Sequence, residues 1–173
     1  TKFLENELKL NLALKNITIS RQLIPFGLRI HIKERYPIAY AEILDNGEKN
    51  IGFIDNEGYF IPKEFAQIRN KIIDIKVVGW QKKYAKVISK ILRAYGFSDK
   101  KLSSIIISPG GFLVLEEKNL NSIFLGTDTK QIDIQLNLIP HIKNQIRKRK
   151  DFSKIETLDL TDPENPIIKV FKP

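Results

Sequence analysis

Leu28, Ile30 and Ile32 alternate with Arg29, His31 and Lys33, the two-residue period of a strand with one dry and one wet face. The alternation runs into Glu34-Arg35-Tyr36-Pro37, where Pro37 lacks the N–H that would continue a ladder and so predicts a bend. A second strand-like run follows near 39–44. Upstream, residues 2–15 place Leu4, Leu8 and Leu12 on one helical stripe with Glu5 and Lys9 outside it, which predicts a short amphipathic helix. A strand around Ile17 and Ile19 and a turn at Pro25-Phe26-Gly27 lead into the 28–33 strand. Downstream, Asp45-Asn46-Gly47 signals a hairpin and Ile51 to Ile54 a short strand. Asp55-Asn56-Glu57-Gly58 signals another turn, followed by a strand at Tyr59-Phe60-Ile61 that Pro62 closes. The first third reads as one helix and a meander of short antiparallel strands, with a domain edge at Pro62.

Beyond it, Ile73 to Val78 reads as a strand ended by Gly79. In 81–95, Tyr84, Val87, Ile88, Ile91, Leu92 and Tyr95 follow helical spacing, Lys82, Lys86, Lys90 and Arg93 take the opposite face, and Gly96 closes the helix. Strands are predicted at 103–108, 112–115 and 122–125. Ser108-Pro109-Gly110-Gly111 fits a type II turn with Gly110 at its third position, and Lys118-Asn119 a polar turn. Asp128 can cap a helix with Gln131 as its reciprocal partner, and Ile132, Leu136, Ile139, Ile142 and Ile146 continue the stripe. Pro140 predicts a kink or a break in it. Glu156 to Leu160 and Ile167 to Phe171 are the last strands, separated by the loop 161–166. The fold class is α+β, with two helices in the second part.

Composition narrows the chemistry. The 173 residues carry 42% hydrophobic and 28% charged side chains, ordinary for a globular chain. The absence of cysteine removes disulfides, zinc ribbons and thiol catalysis. No apolar stretch approaches the ~20 residues that cross a bilayer. No leader is visible at Thr1, and the absence of Met reads as a chain trimmed of its native start. His31 and His141 lie far apart, and the acidic pairs Asp45/Glu48, Asp55/Glu57 and Glu116/Glu117 sit in or beside turns. With no Gly-x-Ser-x-Gly or phosphate-cradling loop, the sequence predicts no catalytic, cofactor or metal site. Glu34 and Arg35 read as an exposed ion pair or turn ligands beside the Pro37 bend, worth about 0–1 kcal/mol.

The net charge of +9 favours anionic partners. Helix 81–95 holds five cations without an acid, and the run Lys143 to Lys154 holds six against Asp151. Nucleic-acid binding would want aromatics on the same face, but Tyr84 and Tyr95 fall on the apolar stripe. Solvated faces beside an anionic membrane surface or cell wall are the favoured reading, with a basic nucleic-acid module as an alternative. Ile167-Ile168-Lys169-Val170-Phe171 is framed by Pro166 and Pro173, which places it at a sheet edge, either capped by a loop or open to a strand from another protein.

The series Ile30, Ile32, Glu34, Arg35, Pro37, Ala39, then Ile54, Asp55, Gly58 and Tyr59, resembles the FtsQ/DivIB family of bacterial division proteins. Leu125-Gly126 and Leu158-Asp159-Leu160 resemble a hairpin end and the penultimate strand of that family's second domain. Lys/Ile/Asn-rich usage and the 162–166 loop are similar to its photosynthetic branch, cyanobacterial or plastid in lineage. The resemblance implies a membrane-anchored, single-pass protein of the inner membrane whose periplasmic region holds a POTRA domain and a β domain. It would make 1–62 the POTRA domain, without its first strand and helix, and 63–173 the β domain. It implies a non-enzymatic scaffold for FtsB/DivIC-like and FtsL-like partners, which add a strand to the C-terminal edge. By position that edge is Ile167, Ile168, Lys169 and Val170 beside Leu158, Asp159 and Leu160. The sequence departs from the pattern of some relatives by carrying Thr161 and Asp162 in place of an aromatic after that strand. A POTRA-type module for protein transport or assembly is the other reading within reach.

Overall fold

The structure, a computed structural model, describes residues 2–45, 48–68, 73–96, 102–118, 120–147 and 155–170. Helix α1 (Lys2–Asn11) precedes a hairpin of β1 (Asn16–Gln22) and β2 (Gly27–Lys33), which forms a two-stranded sheet of its own. Then come β3 (Ala39–Asp45), β4 (Glu48–Ile54), β5 (Phe60–Pro62), β6 (Lys76–Val78), helix α2 (Ala85–Tyr95), β7 (Leu102–Ile107), β8 (Leu113–Glu117) and β9 (Asn121–Gly126). Helix α3 (Ile132–Arg147), β10 (Ile155–Asp159) and β11 (Ile167–Val170) complete the chain. Strands β3 to β11 form one nine-stranded sheet in the order β11-β10-β9-β8-β7-β6-β3-β4-β5. The class is α+β. The sheets part between Lys33 and Ala39, and Pro62 lies inside the larger one.

Turns and loops make the antiparallel pairs, helices make two of the three parallel ones, and the third, β3 with β6, is reached through β4 and β5. α2 links β6 to its parallel neighbour β7, and α3 links β9 to its parallel neighbour β10. Residues Ala41, Val77, Ile105, Leu115, Ile123, Leu158 and Ile168 lie directly opposite one another in register. This transverse apolar row crosses seven strands. All its members but Ile168 are fully buried, against the α2 face of Val87, Ile88, Ile91 and Leu92 and the α3 face of Leu136, Ile139 and Ile142. The stripe spacing read from 81–95 is therefore the stripe that packs.

Several local expectations differ in detail. α1 stops at Asn11 because Ala13 turns left-handed (φ 49°) and Leu14 N–H bonds back to the Lys9 carbonyl, a terminus that no glycine signals. It buries none of its own residues, and Glu5 Oε1 instead accepts from Ile19 N–H on β1 at 2.6 Å. At 108–111 the positive φ belongs to Gly111 and not Gly110. Gly111 N–H bonds to the Ser108 carbonyl, a type I turn with a left-handed closing residue in place of the expected type II. A Cβ at Gly111 would come within 2.3 Å of the Tyr84 hydroxyl, so glycine is required there. Asp128 caps its helix by accepting from Lys130 N–H, while Gln131 Oε1 is buried without a partner. α3 runs on through Pro140 without a break. The proline itself sits on the exposed side of the helix. Asn46, Gly47, Asn119, residues 148–154 and Phe171, where parts of the predicted turns, basic run and last strand fall, lie outside the described residues.

The charged bend of the opening motif is the joint between the two sheets. Arg35 swings away from the surface onto Asp55, and the two side chains are only 8% and 2% exposed. Arg35 also reaches Glu57 at 3.1 Å and lies 3.9 Å over the Tyr59 ring. Asp55 Oδ1 accepts from Glu57 N–H and Tyr59 N–H, so one carboxylate both shapes the turn and holds Arg35. Glu34 accepts from Gln67. The expectation of an exposed pair of small value is thus replaced by a buried charge network. Lys15 joins it at 2.8 Å from Glu57, and together with Arg35 holds that carboxyl below its ordinary value against a smaller opposing effect of burial. The turn then docks on α2. Trp80 Nε1 donates to the Gly58 carbonyl, Ser89 Oγ donates to the Asn56 carbonyl, and a Cβ at Gly58 (φ 76°) would stand 1.9 Å from the Ala85 carbonyl oxygen.

Candidate functional site: an open sheet edge

The nine-stranded sheet has two outer strands. β5 has three residues, ends in Pro62 and turns at once into the 3-10 helix Lys63–Phe65, a short and blunted edge. β11 is different. Its four residues, Ile167, Ile168, Lys169 and Val170, are all exposed, and none is a proline. It pairs on one side only, antiparallel to β10, with Ile168 opposite Leu158 and Ile167 opposite Asp159. Among the described residues, its outward N–H and C=O groups therefore have no ladder partner.

The register gives the two faces of this edge distinct chemistry. Ile168 continues the transverse apolar row, and Val170 stands opposite the buried Ile155. On the other face Ile167 and Lys169 lie opposite Asp159 and Thr157. The row is fully covered as far as Leu158 and then stops, with Ile168 40% exposed. A further strand would extend the row by one residue and cover that end.

The seven residues expected at the site do come together, but in two roles. Ile167 to Val170 present side chains to solvent. Leu158 and Leu160 are fully buried, so their side chains support the edge from inside and do not meet a partner. Asp159 accepts from Thr161 N–H at 2.9 Å and starts the loop into β11.

What holds β10 and β11 in place was not legible as a motif. Gln135, fully buried on α3, donates through Nε2 to the carbonyls of Leu125 and Leu160 at 2.8 Å each, clamping the ends of two parallel strands. Leu160 N–H bonds to the Phe124 carbonyl, and Asn121 Nδ2 to the Ile155 carbonyl. Gly126 (φ 75°) lets Thr161 pack where a Cβ would meet its methyl at 2.9 Å. Asp162 locks the loop by accepting from Glu164 N–H and Asn165 Nδ2; the Asn165 contact, then the backbone bond, keeps its carboxyl below the ordinary value. Thr161 and Asp162 thus build the turn that delivers β11. A polar Gln135 beside the apolar α3 stripe was the one available signal.

Of the basic residues elsewhere, Lys143 has a buried structural partner. Lys143 meets the fully buried Glu117 carboxylate and lies over the Tyr95 ring. Tyr84 and Tyr95 are buried, so the cationic face of α2 offers neither ring for stacking. Among the described residues no three His, Cys, Asp or Glu side chains converge as a metal site would require, and no helix is long and apolar enough to cross a membrane. No protein-family model matches the chain, and no curated protein matches it.

Proposed function

We propose that this chain is a non-enzymatic scaffold that captures another protein by strand addition to β11. The one observation that carries the reading is the transverse apolar row that ends uncovered at Ile168 on an edge strand paired on one side only. Backbone hydrogen bonds would supply affinity, and the Ile168/Val170 and Ile167/Lys169 faces would supply specificity. The resemblance to the FtsQ/DivIB family gives the partner class: FtsB/DivIC-like and FtsL-like division proteins, met on the extracytoplasmic side of the inner membrane. In this reading α1 with β1–β2 would belong to the POTRA part and the nine-stranded sheet to the β domain, which would move the boundary from 62 to the 34–38 segment between the two sheets.

Ile168→Pro or Val170→Pro removes an N–H and disfavours an extended ladder at the edge. Pull-down of an FtsB- or DivIC-type peptide should be lost with either variant while circular dichroism stays near wild type. Ile168→Lys, which leaves the backbone intact, should weaken capture roughly tenfold through its apolar contact. Wild-type capture by these variants would sink the proposal.

A further inference from the structure

We propose that the tip of the β1–β2 hairpin is a wedge that dips into an anionic lipid bilayer surface. Turn residues are usually Gly, Asn, Asp, Ser or Pro. Here the turn after Gln22 reads Leu23-Ile24-Pro25-Phe26, with the three large side chains 71%, 90% and 92% exposed. The apolar surface runs on along β2 through Leu28, Ile30 and Ile32, all more than half exposed. Register puts Ile30 and Ile32 opposite the buried Ile19 and Ile17, and Leu28 opposite the exposed Arg21, so among the described residues this face is covered on β1 and open on β2.

Three features select lipid over other occupants. First, the tip is convex and lies beyond the last ladder pair, Gln22 with Gly27, where an added strand would not reach it. Second, part of its backbone polarity is already met within the turn. Pro25 has no N–H, and Ile24 C=O accepts from Gln22 Nε2 at 3.0 Å. Third, residues 12–33 contain no acid, while Arg21 and Arg29 stand exposed one and two ladder pairs behind the tip. A cationic collar behind an aliphatic and aromatic point matches anionic headgroups above an acyl boundary. The same collar would repel its copy in a tip-to-tip dimer. This inference stands apart from strand addition at β11 and does not depend on it.

The test is co-sedimentation of the whole chain with phosphatidylcholine vesicles, with and without phosphatidylglycerol. Wild type should partition onto the phosphatidylglycerol vesicles, and added salt should weaken it. Ile24→Ser with Phe26→Ser should lower the partition coefficient roughly tenfold or more, since apolar burial supplies the anchor. Arg21→Gln with Arg29→Gln should lower it and flatten its salt dependence, whereas Lys82→Gln with Lys86→Gln on α2 should leave it within about twofold. Circular dichroism should stay unchanged throughout, because all the substituted tip residues face solvent. No partition by wild type, equal partition by the serine variant, or a loss as large from the α2 variant would overturn the proposal. So would a concentration-dependent dimer that the serine variant abolishes, which would assign the tip to a second copy.

Discussion

Asp55→Ala is expected to destabilise the fold by about 3–5 kcal/mol, because it removes the buried counter-charge of the Arg35 guanidinium and leaves it only the half-exposed Glu57. At this chain length that is a fall in melting temperature of order 10 °C. Arg35 is 8% exposed and its Nε already lacks a partner, so water cannot take over the role of the carboxylate. The second half of the prediction concerns rescue. Removing both charges of a buried pair often restores stability. Here it should not, because Asp55 also accepts from Glu57 N–H and Tyr59 N–H, and those two donors would stay orphaned in an Arg35→Met/Asp55→Ala chain. Thermal unfolding of the two variants checks this. A double variant as stable as wild type would show that the turn does not need its carboxylate.

Lys143→Met should cost a similar amount, about 3–5 kcal/mol, for the mirror-image reason. It leaves the Glu117 carboxylate, fully buried and with Oε2 already lacking a partner, without a cation. In this case rescue is expected. Among the described residues no other bond of the Glu117 carboxylate shapes the backbone as Asp55 does, so Lys143→Met with Glu117→Leu should recover most of the loss in urea unfolding. The two double variants therefore separate a carboxylate that builds a turn from one that neutralises a neighbour. Failure of the Glu117/Lys143 double variant to recover would mean that the pair fixes the packing of α3 on the sheet through more than charge.

These two clusters also show how far the sequence could be read. The helical stripe of 81–95 and the apolar positions of α3 were legible because their period is local. The position of β11 at an edge was legible from Pro166 and its short length. The burial of Leu158 and Leu160 was not separable from the exposure of Ile168, since alternation says which residues share a face but not whether that face is covered. Covering depends on the parallel crossovers through α2 and α3, which no short-range signal encodes. Arg35 and Asp55 lie 20 residues apart, and nothing local told a buried ion pair from two surface charges. The ordered motif of Arg35, Asp55, Gly58 and Tyr59 did mark one place in space, without naming the contact. Gln135 was visible only as a polar residue beside an apolar stripe. Its two carbonyl acceptors come from strands separated by the whole of α3.

Everything in the functional reading rests on the outer side of β11 being free to pair. The most direct measurement is residue-resolved hydrogen exchange of 167–170, with and without an FtsB- or DivIC-type peptide. In the free protein the outward amides of this strand should exchange rapidly. With peptide bound they should slow by orders of magnitude, together with new cross-strand contacts at Ile168 and Val170. A peptide that binds while these amides keep their free-state exchange, or amides already protected before any peptide is added, would contradict the account.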